Sequence, residues 1–160
     1  MSLDRAFTPI DGTAYVDKLV YHFGVSPSIF EGTVFIQPNK RYIYLVAKEA
    51  LAWTVTDPMT VGLPFLRVGM QAPKPTTAAA CWLVPHARQN VMEVTEAQAL
   101  RFLRRQAFTS TDEQATSCTG GYVLVRQGSL PLGLGHYRIE TGVVDSYTPK
   151  HVARSMGGTP

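Results

Sequence analysis

The side chains that most often perform chemistry are present in this chain, but their spacing matches no common catalytic or metal site. Cys81 and Cys118 stand alone, and the four histidines lack the local pairing that metal sites use. We therefore predict two reduced thiols, no disulfide and no bound metal. The acidic pairs, Asp112 with Glu113 and Glu93 with Glu96, are interpreted as solvated charges in a polar loop and near a helix start.

Nucleotide-binding and nucleophile motifs are also missing. The sequence contains no GxGxxG after a strand, no GxxxxGK[ST] and no GxSxG. These absences predict a chain with no catalytic residues of its own and no cofactor. A small enzyme acting on RNA or a nucleotide stays open as an alternative, with a polar pocket around His136, Arg138 and His151 as its prediction.

Cationic side chains remain as the main candidates for a binding function. The net charge is +3, which permits an anionic partner without requiring one. Lys74 stands between two prolines, which stiffen its loop and lower the entropic cost of presenting its charge. Arg101, Arg104 and Arg105 are spaced to share one face of a helix, which could bind phosphate or simply be solvated.

Aromatic side chains could add base stacking to these charges. Tyr42 and Tyr44 point to the same side of a predicted strand, and Tyr21, Trp53 and Trp82 are further candidates. Packing in the core or at an interface is the alternative role for all five.

The elements that must position these residues are short. The chain is 45% apolar and 17% charged, which excludes wholesale disorder, and thirteen Gly with eleven Pro indicate frequent turns. Predicted helices cover 14–23 with Thr13 as cap, 26–30, 48–51, 76–84 and 96–105, the last opened by a capping box at Thr95 and Gln98. Predicted strands cover 33–37, 41–46, 53–56, 65–70, 91–94, 121–125, 132–139 and 143–147. The Pro- and Gly-containing stretch 57–64 is interpreted as a domain junction, and 109–120 as a polar loop.

The most distinctive segment follows that loop. It runs Gly121-Tyr122-Val123-Leu124-Val125, then Leu130-Pro131-Leu132-Gly133 with Gly135, and closes with Tyr147-Thr148-Pro149-Lys150. This order resembles the PUA-like RNA-binding domain at the C-terminus of RNA cytosine-5 methyltransferases of the Nop2/Sun type. Upstream, the resemblance extends over roughly 63–154 through Phe65 to Gly69, the basic loop 71–75 (the proline loop), the Ala-rich helix and the helix after Thr95.

The resemblance implies an α+β fold with a PUA-like small β-barrel and flanking helices over 63–154. Residues 6–62 are similar to the mixed α/β module, called pre-PUA, that precedes PUA domains in ribosome-biogenesis factors. A disordered tail is predicted at 155–160. The methyltransferase domain and its Pro-Cys motif are absent from this sequence, since Cys118 has no preceding proline.

The function implied is non-catalytic binding of structured RNA, a tRNA or rRNA, in RNA modification or ribosome assembly. An RNA methyltransferase or a ribosome-assembly factor is the corresponding protein partner. The candidate RNA-binding residues are Arg67, Lys74, Arg126, Arg138, Lys150, His151 and Arg154. Arg67, Lys74, Lys150 and Arg154 are expected on one side of the barrel.

A protein–protein scaffold is the nearest rival, and it predicts an exposed apolar patch in place of a basic groove. The sequence has no apolar run long enough to cross a membrane and no signal-peptide pattern at its start. We therefore expect a cytoplasmic protein with no membrane partner.

Overall fold

The computed structural model describes residues 7–52 and 61–158, so the strand expected at 53–56 lies outside the described residues. The helices are α1 (Thr13–Phe23), α2 (Lys48–Leu51), α3 (Thr77–Leu83), α4 (Glu96–Leu103) and α5 (Lys150–Ser155), with 3-10 turns at Pro27–Phe30 and Val84–His86. The strands are β1 (Pro9–Ile10), β2 (Thr33–Ile36), β3 (Tyr42–Ala47), β4 (Leu63–Arg67), β5 (Val91–Glu93), β6 (Phe108–Thr109), β7 (Gly121–Gln127), β8 (Leu130–Arg138) and β9 (Val143–Ser146).

The first sheet is antiparallel, in the order β1-β2-β3-β4. Its centre is the predicted hairpin, whose turn is closed by the side chain of Asn39, which accepts hydrogen bonds from the backbone N–H groups of Arg41 and Tyr42. β4 pairs with β3, placing Arg67 opposite Tyr42. The prediction that this strand opens the barrel and runs to 70 is therefore wrong. The strand stops at Arg67 because the chain reverses there, and Arg67 N–H donates to the carbonyl of Lys74 at 3.0 Å.

The second sheet has five strands in the order β5-β7-β8-β9-β6. β7, β8, β9 and β6 are antiparallel, and β5 runs parallel to β7. The sheet curls into a half-barrel with helices alongside, so the predicted α+β fold with a PUA-like domain is confirmed. Tight packing at Gly135 contributes to the curl, because a Cβ there would lie 3.0 Å from the side chain of Val144.

Two hydrophobic cores lie on opposite faces of β7. Leu124 belongs to a core that also contains Leu19, Phe23 and Phe65, and Val123 belongs to a second core around Phe102. Successive side chains of a strand point to opposite faces, so β7 is buried on both sides. The first core contains residues of both sheets and of α1 and α3, which makes it the structural connection between the two parts of the chain.

Several local predictions hold at the level of individual bonds. The capping box is complete, with Thr95 Oγ1 accepting from Gln98 N–H and Gln98 Oε1 accepting from Thr95 N–H. Gly24 ends α1 in the left-handed region at φ 63°. Thr13 is not the cap of α1: it is the first helical residue, and Asp11 Oδ1 accepts from its N–H and its hydroxyl.

The C-terminal end differs from the prediction because α5 forms where no helix was expected. Ser155, the first residue of the predicted tail, is the last residue of this helix. Beyond the helix, Gly158 N–H donates to the carbonyl of Ala153. Residues 159–160 lie outside the described part. Within that part, no helix combines the length and the apolar character needed to span a bilayer.

Candidate nucleic-acid interface

A groove of about 570 Å³ opens where the end of β4, the proline loop and the segment after β9 meet. The polar and aromatic side chains that line it are Tyr42, Arg67, Lys74, Thr76, Thr77, Arg105 and Tyr147. Apolar residues, among them Pro75, Leu134 and Pro149, complete its walls. The lining contains three cations and no acidic side chain. We call this feature the basic groove.

Lys74 is the most constrained cation of the basic groove. Its neighbours Pro73 and Pro75 are buried, and its backbone carbonyl accepts from Arg67 N–H. Its Nζ lies 4.4 Å from the ring centroid of Tyr147 and 5.6 Å from that of Tyr122. Partial burial, and secondarily the nearby charge of Arg67, lower the pKa of Lys74. The ammonium group is therefore held in place by aromatic faces and incompletely solvated before any ligand binds.

Arg67 and Tyr122 share this electrostatic environment. Arg67 is exposed at the last position of β4 and makes no ion pair with any residue that the structure describes. Burial raises the pKa of the Tyr122 hydroxyl, with a further increase from Tyr147 and a smaller opposing effect from Arg67. Tyr122 therefore stays neutral, and its ring can act as an uncharged aromatic surface beside the two cations.

Arg105 reaches the basic groove through an unusual backbone conformation. It follows the end of α4 with φ 60°, and its Nη1 donates to the carbonyl of Thr148 at 2.8 Å. The other two arginines of the predicted basic face are exposed as well, and they too donate to backbone carbonyls. Arg101 donates to Ala107 and Arg104 to Met156. Only Arg105 lines the groove.

Two predicted RNA-binding residues already have carboxylate partners. Arg138 donates from Nε and Nη2 to Asp145 Oδ2, at 2.8 and 2.7 Å. Arg126 Nη2 lies 3.6 Å from Glu93 Oε2, and its buried Nε has no hydrogen-bond partner. The cavity beside Arg126 is mixed in charge, since Glu93 and Glu113 line it together with Arg88. Neither arginine lies in the basic groove.

The other three predicted residues lie on α5. Lys150, His151 and Arg154 are exposed, and they follow Pro149, which lines the basic groove, but none of the three lines it. The structure thus places Arg67 and Lys74 in one groove, with Lys150 at the start of the adjoining helix.

The alternative enzyme pocket has no counterpart among the four cavities of the described residues. None of the three residues His136, Arg138 and His151 lines any of the four best-defined cavities, and the His136 and Tyr122 rings pack edge to face with centroids 5.7 Å apart. Among the same residues, no group of three His, Cys, Asp or Glu could hold a metal ion. Burial raises the pKa of both thiols, Cys81 and Cys118.

Tyr147 and Arg105 were missed as site residues, although both belong to segments that the sequence singled out. Tyr147 opens the closing Tyr-Thr-Pro-Lys segment, and its 37% exposure next to a cation marks it as a contact surface. The sequence marks Arg105 less clearly than Tyr147, because nothing in its local sequence distinguishes it from Arg104.

Comparison with known families gives one match. Residues 89–154 match the family described as the methyltransferase RsmF PUA domain, which supports the predicted resemblance to a methyltransferase-associated PUA domain. The match begins later than the predicted 63–154 and includes Arg105, Leu134, Tyr147 and Pro149 of the basic groove. Comparison with curated protein sequences found no significant match.

Proposed function

We propose that this protein binds structured RNA, a tRNA or rRNA, without catalysing a reaction on it, and that the basic groove is the contact site. The observation that carries the proposal is a lining of three cations, no acid and two tyrosines. Phosphates require positive charge, and aromatic faces accept bases or riboses. The family match supports it, because PUA domains generally bind RNA.

The cations divide into central and peripheral contacts. Arg67 and Lys74 line the groove and make no ion pair within the described part of the chain, so they are assigned to phosphate contacts. Arg105 is fixed by its bond to Thr148 and adds charge at a constant position. Lys150, His151 and Arg154 are assigned to peripheral contacts on α5. RNA contacts by Arg126 and Arg138 stay predictions, and the ion pairs of these residues with Glu93 and Asp145 count against them.

The cellular context is part of the same proposal. The matched family belongs to RNA methyltransferases, so we assign the chain to RNA modification, with a methyltransferase as its catalytic partner. Few phosphate contacts fit in the basic groove, and Lys carries little information about base identity. Specificity for one RNA would therefore come from that partner or from peripheral contacts.

The test is a salt titration of RNA binding. A variant carrying Arg67→Ala and Lys74→Ala should bind a tRNA and a ribosomal hairpin more weakly, with both affinities reduced alike. Its slope of log K against log salt should be flatter by about one unit per lost contact.

The matched control is Lys48→Ala. Lys48 is an exposed lysine on α2, after the far end of β3, about 20 Å along that strand from Tyr42. It removes one positive charge outside the basic groove, against two removed inside it by the double variant, so the change in slope is compared per charge removed. Equal changes per charge for the double variant and the control would contradict the proposal and favour the protein–protein scaffold.

A further inference from the structure

A second, smaller pocket shares Arg67 with the basic groove. Its volume is about 160 Å³, and it lies between α1 and the proline loop, with Tyr15, Lys18, Arg67, Gly69 and Pro73 in its lining. Two of the lining residues are cations and none is acidic. We call it the α1 pocket.

The chain reversal after β4 brings lining residues of the two pockets next to one another. Gly69 takes a left-handed conformation at φ 79°, and the returning strand bonds to β4 through Arg67 N–H and Lys74 O. Of two consecutive residues, Pro73 lines the α1 pocket and Lys74 lines the basic groove. Arg67 lines both. The two pockets therefore adjoin at Arg67.

Lys18 has no structural role that would explain its place there. It is exposed on α1 and forms no ion pair with any described residue. The positions three and four residues away, where a helical partner would stand, are Ala14, Tyr15, Tyr21 and His22. No carboxylate on the helix face neutralises its charge.

We propose that the α1 pocket is a second phosphate subsite, in which Lys18 and Arg67 hold the backbone of the same RNA as it leaves the basic groove. This inference rests on the proposed function. The ligand is a phosphodiester chain and not an isolated anion, because two pockets whose charged side chains are all cationic, and which share one arginine, match charges repeated along a continuous strand. The RNA footprint then extends beyond the family-matched segment to the N-terminal helix.

The test compares Lys18→Ala with Lys74→Ala and with the control Lys48→Ala on a length series of oligouridylates, from the dinucleotide upward. Lysine and alanine both favour helix, so Lys18→Ala preserves α1. For the wild type, affinity should rise with length until the whole footprint is filled. Lys18→Ala should reach its plateau at a shorter oligonucleotide, and its salt slope on long ones should be flatter by about 0.7.

The outcomes separate this inference from the proposed function. If Lys74→Ala weakens binding while Lys18→Ala behaves as Lys48→Ala does, the α1 subsite is overturned and RNA binding in the basic groove stands. An equal effect of Lys18→Ala on the shortest and the longest oligonucleotides would also overturn it. If the wild-type protein binds none of these oligonucleotides and no structured RNA, both proposals fail.

Discussion

At the scale of single residues, Lys74 shows how a surface cation is prepared for an anionic ligand. Two prolines fix its backbone, two tyrosine rings hold its ammonium group, and a hydrogen bond to Arg67 anchors its carbonyl. Part of the entropy and solvation cost of binding is therefore met in the free protein. The same environment lowers the pKa of Lys74, through burial first and Arg67 second.

This lowered pKa predicts that RNA binding weakens at alkaline pH earlier than for an ordinary lysine site. Phosphate favours the charged amine, so affinity falls once the pH rises through the pKa of free Lys74. Lys74→Arg keeps its charge throughout and should lose less affinity over the same range. The measurement is RNA affinity by fluorescence anisotropy from neutral to alkaline pH for both proteins. Parallel curves would show that Lys74 does not titrate in the binding equilibrium.

Through Lys74, the free energy of unfolding should change with pH in the direction opposite to the RNA affinity. Between the lowered folded pKa and the ordinary unfolded one, the unfolded chain binds more protons, so this group makes the free energy of unfolding rise with pH. A fall in RNA affinity over that window is therefore not explained by a Lys74-linked loss of the folded state. Unfolding curves collected at the same pH values check this point.

At the scale of elements, Asn90 joins α1 to the second sheet. It is 1% exposed and lies at φ 51° just before β5. Its Nδ2 donates to the carbonyl of His22 at 2.7 Å, and its Oδ1 accepts from Thr119 N–H at 2.8 Å. His22 Nε2 in turn lies 2.8 Å from the carbonyl of Tyr122. These bonds hold the C-terminal end of α1 against β7.

We expect Asn90→Ala to lower the free energy of unfolding by about 1–3 kcal/mol, because it leaves buried polar groups without partners. Asn90→Gly separates the loss of the side-chain hydrogen bonds from the strain of the positive φ, since glycine suits that φ but lacks the amide. It should also be clearly less stable than the wild type. Urea denaturation measures both, with Thr116→Ala on the exposed loop as the control. Wild-type stability of Asn90→Gly would mean that the side-chain bonds contribute little.

Elements encoded by neighbouring residues could be predicted from the sequence, whereas their partners could not. The hairpin at Asn39, the stop at Gly24 and the capping box at Thr95 each depend on residues a few positions apart. The pairing of β4 with β3 depends on contacts across an intervening segment, and hydrophobic alternation identifies a strand without naming its neighbour.

In the basic groove too, local features could be predicted from the sequence and long-range contacts could not. Arg67 and Lys74 were identified because a stiff basic loop is a local signal. The meeting of Lys74 with Tyr147 and of Arg105 with Thr148 is set by tertiary packing. The helix α5 was missed because its sequence, six residues with Lys, His and Arg, has only Ala153 buried and so lacks an apolar stripe.

At the scale of the whole molecule, the two sheets depend on one shared core. Leu19 and Phe23 of α1 and Leu83 of α3 pack in the same cluster as Leu124 and Leu134 of the second sheet. The basic groove is likewise built from both parts, with Arg67 and Lys74 on one side and Arg105 and Tyr147 on the other. The division into 6–62 and 63–154 stays a prediction, and a cut at 62 would separate β4 from β3.

This arrangement predicts that the family-matched segment does not fold by itself. A fragment of residues 89–158 keeps all five strands of the second sheet but loses α1 and α3, which cover the Leu124 and Leu134 face of β7 and β8. Because removal of these helices exposes that face to water, we expect no cooperative urea transition and strong binding of a hydrophobic dye. The full chain should unfold in a single step.

Two probes test that single step in a Trp53→Phe variant of the full chain. Trp82 then reports on the first core, where its ring centroid lies 5.5 Å from that of Phe65, and far-ultraviolet circular dichroism reports on both sheets. Coincident urea curves are expected, because the first core cannot be lost without uncovering the second sheet. Separate midpoints, or a cooperative transition for the 89–158 fragment, would instead establish two independent folding units and support a boundary between them.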